Sequence, residues 1–83
     1  MDLKQLEYFV RVADSGGFSA AGSGLQLTQS ALSRQITLLE SELGHRLFTR
    51  TGRGIETTQA GEVLLSHARA MLDAARLAKN ELQ

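Results

Sequence analysis

Five polar residues near the middle of the chain have the side-chain types and spacing needed to present several hydrogen-bonding groups on one face of a helix. They are Gln29, Ser30, Ser33, Arg34 and Thr37. Their amide, hydroxyl and guanidinium groups are the kinds that pair with base edges in the major groove. No carboxylate interrupts the set, whereas ordinary exposed helix surfaces favour Glu and Lys for their helix propensity. We predict that the first four read bases, with a plain solvated helix face as the alternative.

An apolar stripe predicts the helix that carries this polar face. Its members are Leu32, Ile36, Leu39 and Leu43, at helical spacing. Thr28 precedes the stripe and can cap the helix, and Gly44 ends the pattern. A hydroxyl or backbone N–H at Thr28 can also bind a phosphate, and Thr37 is a second candidate for contact with the DNA backbone.

A shorter helix and a tight turn are predicted just before this one. Ser19 can cap the shorter helix, and Gly24 lies where a helix end needs a residue tolerant of positive φ. Gly22, inside the helix, is expected to cost up to about 1 kcal/mol of helix propensity. An earlier amphipathic helix from Leu3 to Ala13 is closed by Gly16-Gly17. The pattern therefore predicts a helix–turn–helix preceded by one further helix.

Charge is distributed unevenly along the chain. The formal net charge is zero, which by itself argues against binding to phosphates. However, no acidic residue occurs between Ser15 and Leu39, or between Leu43 and Ile55, and the second interval contains Arg46, Arg50 and Arg53. A neutral chain can thus present one acid-free, weakly basic face.

Two short extended runs around a glycine-bearing turn predict a β-hairpin. Leu47–Arg50 and Ile55–Thr57 flank the turn Thr51-Gly52-Arg53-Gly54. Next to a helix–turn–helix, such a hairpin is a wing. Arg50 and Arg53 are predicted to contact the DNA backbone or the minor groove, where an arginine can exploit the negative potential. A pair of surface arginines that keeps the hairpin soluble is the alternative.

A long final helix is predicted from Thr58 to the end of the chain. It carries an apolar stripe with alternating spacings of four and three, typical of a two-helix coiled coil. The stripe consists of Leu64, Ala68, Met71, Ala75, Ala78 and Leu82. We expect a second copy of the chain to cover it, because no other segment is free to do so.

The order of residues from Phe9 to Ala68 resembles the N-terminal domain of the LysR-type transcriptional regulators. The resemblance rests on FVRVADSGGFSAA, on LTQSALSRQITLLESELGHRLFTR and on the Ala60-Gly61 pair. It implies that the positions of Gln29, Ser30, Ser33 and Arg34 face the major groove, that a wing arginine lies near the DNA, and that the last helix is a dimerisation linker. It also implies that the chain is a DNA-binding fragment, with a small-molecule effector acting only through a domain absent here.

The predicted fold is mostly α: a winged helix–turn–helix of three helices and a short hairpin over residues 1–57, then a linker helix over 58–83. The predicted function is sequence-specific binding of double-stranded DNA, at an imperfect palindrome, by a homodimer in the bacterial cytoplasm; the full-length protein is a dimer or a tetramer. A winged-helix protein-interaction module is the alternative. There is no cysteine, and His45 and His67 lack partners at metal-ligand spacing, so no metal, cofactor, membrane contact or enzymatic activity is expected.

Overall fold

Four helices and one β-hairpin form the structure, a computed structural model that describes all 83 residues. The elements in chain order are α1 (Leu3–Ser15), α2 (Phe18–Leu25), α3 (Gln29–Leu43), β1 (Phe48–Thr51), β2 (Gly54–Thr57) and α4 (Gln59–Glu81). This order is that of a winged helix–turn–helix followed by a long helix, as predicted. None of the helices combines the length and the apolar character required to cross a membrane.

The helix–turn–helix forms as predicted, but two of its end signals were assigned wrongly. Thr28 caps α3, its Oγ1 accepting a hydrogen bond from the N–H of Ala31 at 3.0 Å. Ser19, in contrast, lies inside α2, whose N-cap is Gly17 without a side-chain bond. The helix also continues past Gly24, and Gln26 takes the left-handed conformation with φ of 59°. A non-glycine residue here can adopt this conformation because its N–H bonds to the carbonyl of Ser23 at 3.3 Å.

Gly22 is required by the turn rather than being only a weakness of α2. The residue is buried, and its carbonyl accepts the N–H of Leu27 at 2.8 Å. A Cβ at this position would lie 2.8 Å from the carbonyl oxygen of Leu27. The loss of helix propensity expected from the sequence is therefore offset by the close approach that the turn needs.

The wing is an antiparallel hairpin with a two-residue turn. Phe48 pairs with Thr57 and Thr51 pairs with Gly54, so Gly52 and Arg53 form the tip. The first strand was predicted one residue too early in the chain, and the second was predicted to start one residue too late. Only the pairing of the strands shows that Leu47 lies before β1 and that Thr51 lies within it. Phe48 anchors the hairpin, its ring centroid lying 5.3 Å from that of Phe9.

One apolar core joins all four helices and the base of the wing. It consists of Leu6, Phe9, Val12, Ala21, Leu32, Ile36, Leu39, Leu47, Phe48 and Ala68. Phe18 and Leu43 pack against this core while partly exposed. The first half of α4 is thus an integral part of the domain, since Ala68 is fully buried within the single chain.

Candidate DNA-binding surface

The polar face of α3 protrudes from the domain at the start of the helix. Gln29, Ser30 and Arg34 are exposed, and Ser33 is half-buried on the side toward the wing. The guanidinium of Arg34 forms no ion pair and no hydrogen bond within the chain. A guanidinium without an internal partner retains its five donors for an external acceptor.

The first turn of α3 offers backbone donors as well as side chains. The N–H groups of Gln29 and Ser30 have no bond within the chain, as expected for the first residues of a helix. Thr28 is exposed, and its hydroxyl accepts a bond from Ala31, so its proton is free to be donated. Together with the positive end of the helix dipole, these groups form a site suited to a phosphate.

Ser19 belongs to this surface although the sequence pattern assigns it to a helix cap. Its hydroxyl lies 3.3 Å from Oε1 of Gln29, so the first turns of α2 and α3 are in contact. The bond leaves the NH₂ group of Gln29 free. The contact spans ten residues across the turn and has no signal in the periodicity of either helix.

Thr37 differs from the other polar residues of the face. Its Oγ1 donates to the backbone carbonyl of Ser33 at 3.0 Å. This bond uses the single hydroxyl proton of Thr37, so the side chain must rotate before it can donate to a phosphate. Ser33 and Thr37 also line a cavity of about 200 Å³ between α3 and the wing, together with Arg50.

The wing arginines are both exposed and lack acidic partners. Arg50 is on β1 opposite Ile55, and Arg53 is in the turn, with its N–H 3.2 Å from Oγ1 of Thr51. Neither forms an ion pair. Arg46 behaves differently, because its Nε lies 3.5 Å from Oε2 of Glu40. The structure thus brings Ser33 and Thr37 of α3 and the wing arginine Arg50 to two sides of one cavity, while Arg53 lies at the tip of the wing.

The apolar stripe predicted for dimerisation is partly occupied by the chain's own core. Ala68 is fully buried and must be removed from the predicted interface, because no second copy can reach it. Leu64, Met71 and Ala75 are half-buried, and Ala78 and Leu82 are exposed. A coiled-coil seam and a helix packed on a core have nearly the same periodicity, so the sequence could not distinguish them.

Two exposed apolar residues of α4 were not predicted as part of an interface. They are Val63, 58% exposed, and Leu77, 49% exposed. Val63 borders a shallow apolar groove of about 590 Å³ that includes Leu43, Leu64 and both histidines. No group of three or more His, Cys, Asp or Glu residues is placed where it can hold a metal ion.

Comparison with known proteins relates this arrangement to one family. Residues 3–62 match the family described as bacterial regulatory helix-turn-helix proteins of the lysR family. The chain is 49% identical over 72 residues to the transcriptional regulator TfdT of Cupriavidus pinatubonensis, covering 87% of this chain and 32% of TfdT. It is 41% identical over 85 residues to the nitrogen assimilation regulatory protein nac of Klebsiella aerogenes, covering 99% of this chain and 28% of that protein.

Two solved structures of DNA-binding domains superpose closely on this chain. The CbnR DNA-binding domain in its DNA complex superposes with a TM-score of 0.91 at 40% identity, covering 98% of this chain and 93% of that one. The BenM DNA-binding domain bound to catB site 1 DNA gives 0.95 at 35% identity, covering 99% and 92%. The chain therefore spans about a third of TfdT's length and nearly all of these two domains.

Proposed function

The chain belongs to the lysR family of bacterial regulatory helix–turn–helix proteins, and we propose that it is the sequence-specific DNA-binding domain of a transcriptional regulator. The observation that carries this function is the surface formed by the start of α3 and the wing. It combines free hydrogen-bonding side chains, unbonded helix N–H groups and two arginines without acidic partners. The DNA complexes of the CbnR and BenM domains, which have the same fold, support the same function.

In this function α3 enters the major groove by its first two turns. Gln29, Ser30, Ser33 and Arg34 contact base edges, with Arg34 suited to bind a guanine by two parallel hydrogen bonds. Thr28 and the free N–H groups of the first turn bind a phosphate and fix the register of the helix. Arg50 and Arg53 contact the backbone or the minor groove beside it, and Thr37 does so only after rotation of its hydroxyl.

Dimerisation by α4 places two such surfaces on one palindromic site. The accessible apolar residues of the predicted stripe, without Ala68, form the interface. They are Leu64, Met71, Ala75, Ala78 and Leu82. Residues 1–57 then serve to bind DNA and residues 58–83 to pair the copies, although the first half of α4 also completes the core. Two recognition helices bind half-sites about one helical turn apart or a multiple of it.

This role involves no catalytic step and no cofactor. The protein acts on the chromosome in the bacterial cytoplasm. Pairing also compensates for the neutral net charge, because the second domain binds at the effective concentration that the first one creates.

A protein-interaction module of the same fold is the competing function. Such a module would expose an apolar patch where this chain has its polar face. The large exposed apolar residues are Met1, Leu3, Leu38, Val63, Leu77 and Leu82, and none lies in the first two turns of α3. The distribution of exposed side chains thus favours DNA.

Selection of bound sites from a random duplex pool tests the proposal. We expect enrichment of one imperfect palindrome, with an affinity for random duplex that falls steeply as salt rises because counterions are released. Recovery of no common sequence, with weak binding that does not depend on salt, would favour the interaction module instead.

A further inference from the structure

Glu40, in the last turn of α3, contacts the backbone beyond its own helix. Its side chain is 13% exposed, and its Oε2 accepts the N–H of Leu47 at 2.7 Å. Arg46 lies at 3.5 Å from the same oxygen, but its side chain is 76% exposed. Surface ion pairs contribute little, whereas a charge-assisted bond to a partly buried N–H is stronger than a neutral one. The bond to Leu47 is therefore the more significant contact.

The carbonyl of the same residue holds the turn that follows α3. It accepts the N–H of Gly44 at 2.8 Å and that of His45 at 3.3 Å. Glu40 thus bonds to three N–H groups in the short segment between α3 and β1. Two of these bonds use the backbone carbonyl and the third uses the side chain, so the carboxylate adds a specific bond that fixes the path of the chain from α3 into the wing.

The segment Arg46-Leu47 is bonded on its other side by the start of α4. The N–H of Thr58 donates to the carbonyl of Leu47 at 3.0 Å, and its Oγ1 donates to the carbonyl of Arg46 at 2.6 Å. Since β1 starts at Phe48 and β2 ends at Thr57, these bonds hold both ends of the hairpin. The bond from Leu47 to Glu40 links this base of the hairpin to α3.

The position of Glu40 is unfavourable for DNA binding on charge alone. It lines the cavity between α3 and the wing, together with Thr37 and Arg50. A carboxylate close to the DNA-facing side repels phosphates, so a benefit of another kind is needed to offset that repulsion. The bond to Leu47 provides one, because it holds the wing at a set position relative to α3.

We infer that Glu40 is a positioning residue that sets where the wing arginine Arg53 lies relative to the reading face of α3. The inference rests on the proposed DNA-binding function, but the hydrogen bond at its centre can be tested without DNA. Glu40 itself does not contact the DNA. Its effect on affinity must therefore act through the wing, which carries Arg50 and Arg53, and should be smaller when Arg53 is removed.

A double-mutant cycle on the full chain tests this dependence, with affinity measured on the selected palindrome. Glu40→Ala removes the acceptor and the charge, whereas Glu40→Gln removes the charge but retains an oxygen for the N–H of Leu47. Glu56→Ala is the matched control, because Glu56 is an exposed carboxylate of the wing without a hydrogen-bonding partner. Each variant is also made in the Arg53→Ala background, and its thermal midpoint is recorded.

We expect Glu40→Ala to weaken binding by about tenfold, the scale of coupling within one hydrogen-bond network, and to weaken it by a clearly smaller factor once Arg53 is removed. Glu40→Gln should bind at least as tightly as the wild type. Equal effects of Glu40→Ala in both backgrounds, or equal affinities of the Ala and Gln variants, would overturn the inference. If the wild-type chain binds no DNA, the proposed function fails and this inference fails with it; binding without coupling overturns the inference alone.

Amide hydrogen exchange of the wild type keeps the test decisive if Glu40→Ala does not fold. The N–H of Leu47 should exchange at least about 100-fold more slowly than an unprotected amide, because it is bonded in the native state. In Glu40→Gln this protection should persist. Exchange of Leu47 at the unprotected rate in the wild type would show that the wing base is not held by Glu40.

Discussion

Asp14 at the end of α1 and Arg69 in the middle of α4 form a bidentate salt bridge between the two helices. The Nη2 of Arg69 lies 2.7 Å from Oδ1 of Asp14, and its Nη1 lies 3.3 Å from Oδ2. Arg69 directly follows Ala68, the residue that packs α4 into the core. The pair therefore helps to set the direction in which α4 leaves the domain.

This pair predicts a dependence of stability on pH. The hydrogen bond from Arg69 holds the pKa of Asp14 below its ordinary value of 3.8, against a smaller opposing effect of burial. Because the pKa of Asp14 is depressed in the folded state, the pair contributes fully to stability above about pH 3.8. This contribution is lost as the pH falls through the lower pKa of the folded state. It should be small and sensitive to salt, since both side chains are about half exposed.

Urea unfolding of Asp14→Asn measures this contribution. We expect the variant to be less stable than the wild type near neutral pH and equally stable in strong acid. Asp73→Asn is the control, because the ion pair of Asp73 with Arg76 is longer, at 3.7 Å, and lies on the exposed side of α4. If the Asp14→Asn difference persisted unchanged in strong acid, the ion pair would not be its cause.

Arg34→Ala should change specificity as well as affinity. A guanidinium that binds one guanine by two hydrogen bonds contributes about 1–3 kcal/mol of discrimination at that position. We expect this loss on the selected site and a flattened preference at one base pair in a repeated site selection. Arg76→Ala, on α4, should leave both unchanged. Equal weakening on every sequence would assign Arg34 to a phosphate instead.

Arg53→Ala should weaken binding to specific and random duplex nearly equally. A wing arginine that contacts phosphate or the minor groove reads little sequence, so its loss acts on the electrostatic part of binding. The slope of log K against log salt should fall in magnitude by about one unit. The measurement is a salt titration of the wild type and Arg53→Ala, and an unchanged slope would place Arg53 away from the duplex.

Ala78→Asp should abolish pairing while leaving the domain folded. Ala78 belongs to the predicted stripe and is exposed in the single chain, whereas Met71 also packs against the chain's own core. A carboxylate buried in the interface without a partner is costly. Sedimentation should therefore show a monomer, and the circular dichroism spectrum should show an unchanged helix content. Asn80→Asp adds the same charge on another side of α4 and should still pair. A dimeric Ala78→Asp protein would mean that the interface lies elsewhere.

Gly61→Ala should destabilise the protein although alanine is the better helix former. A Cβ at Gly61 would overlap the carbonyl oxygen of Leu47, where the first turn of α4 contacts the base of the wing. We expect a loss of about 1–3 kcal/mol in the free energy of unfolding, as for an overpacked site. Gly24→Ala is the matched control, because its Cβ would meet only the side chain of Arg11 at 3.5 Å. A Gly61→Ala protein as stable as Gly24→Ala would contradict the close contact.

The local features of the fold could be predicted because their causes lie within a few residues. The cap at Thr28 bonds to Ala31, three residues away, and Gly16 and Gly44 end α1 and α3 in the left-handed conformation. The hairpin follows from two short runs around a glycine-bearing turn. The polar face of α3 was visible for the same reason, since residues of one helix face recur at fixed spacing.

Contacts between elements were not accessible to the same reasoning. The bond of Ser19 to Gln29 and that of Glu40 to Leu47 cross a turn, and the Asp14–Arg69 pair spans 55 residues. Periodicity indicates which residues share a face but not which side chain on another element meets them. The role of Gly22 was misjudged on the same ground, because its close neighbour belongs to the following turn.

The sequence by itself determined the four helices, the wing and the acid-free polar face, because hydrophobic spacing and capping act locally along the chain. Only the tertiary structure decided how the apolar stripe of α4 is divided. Ala68 is covered by the chain's own core, whereas Ala78 and Leu82 remain exposed. The physical reason is that an apolar residue gains free energy from any cover that excludes water, so its spacing does not specify whether that cover is the same chain or a second copy.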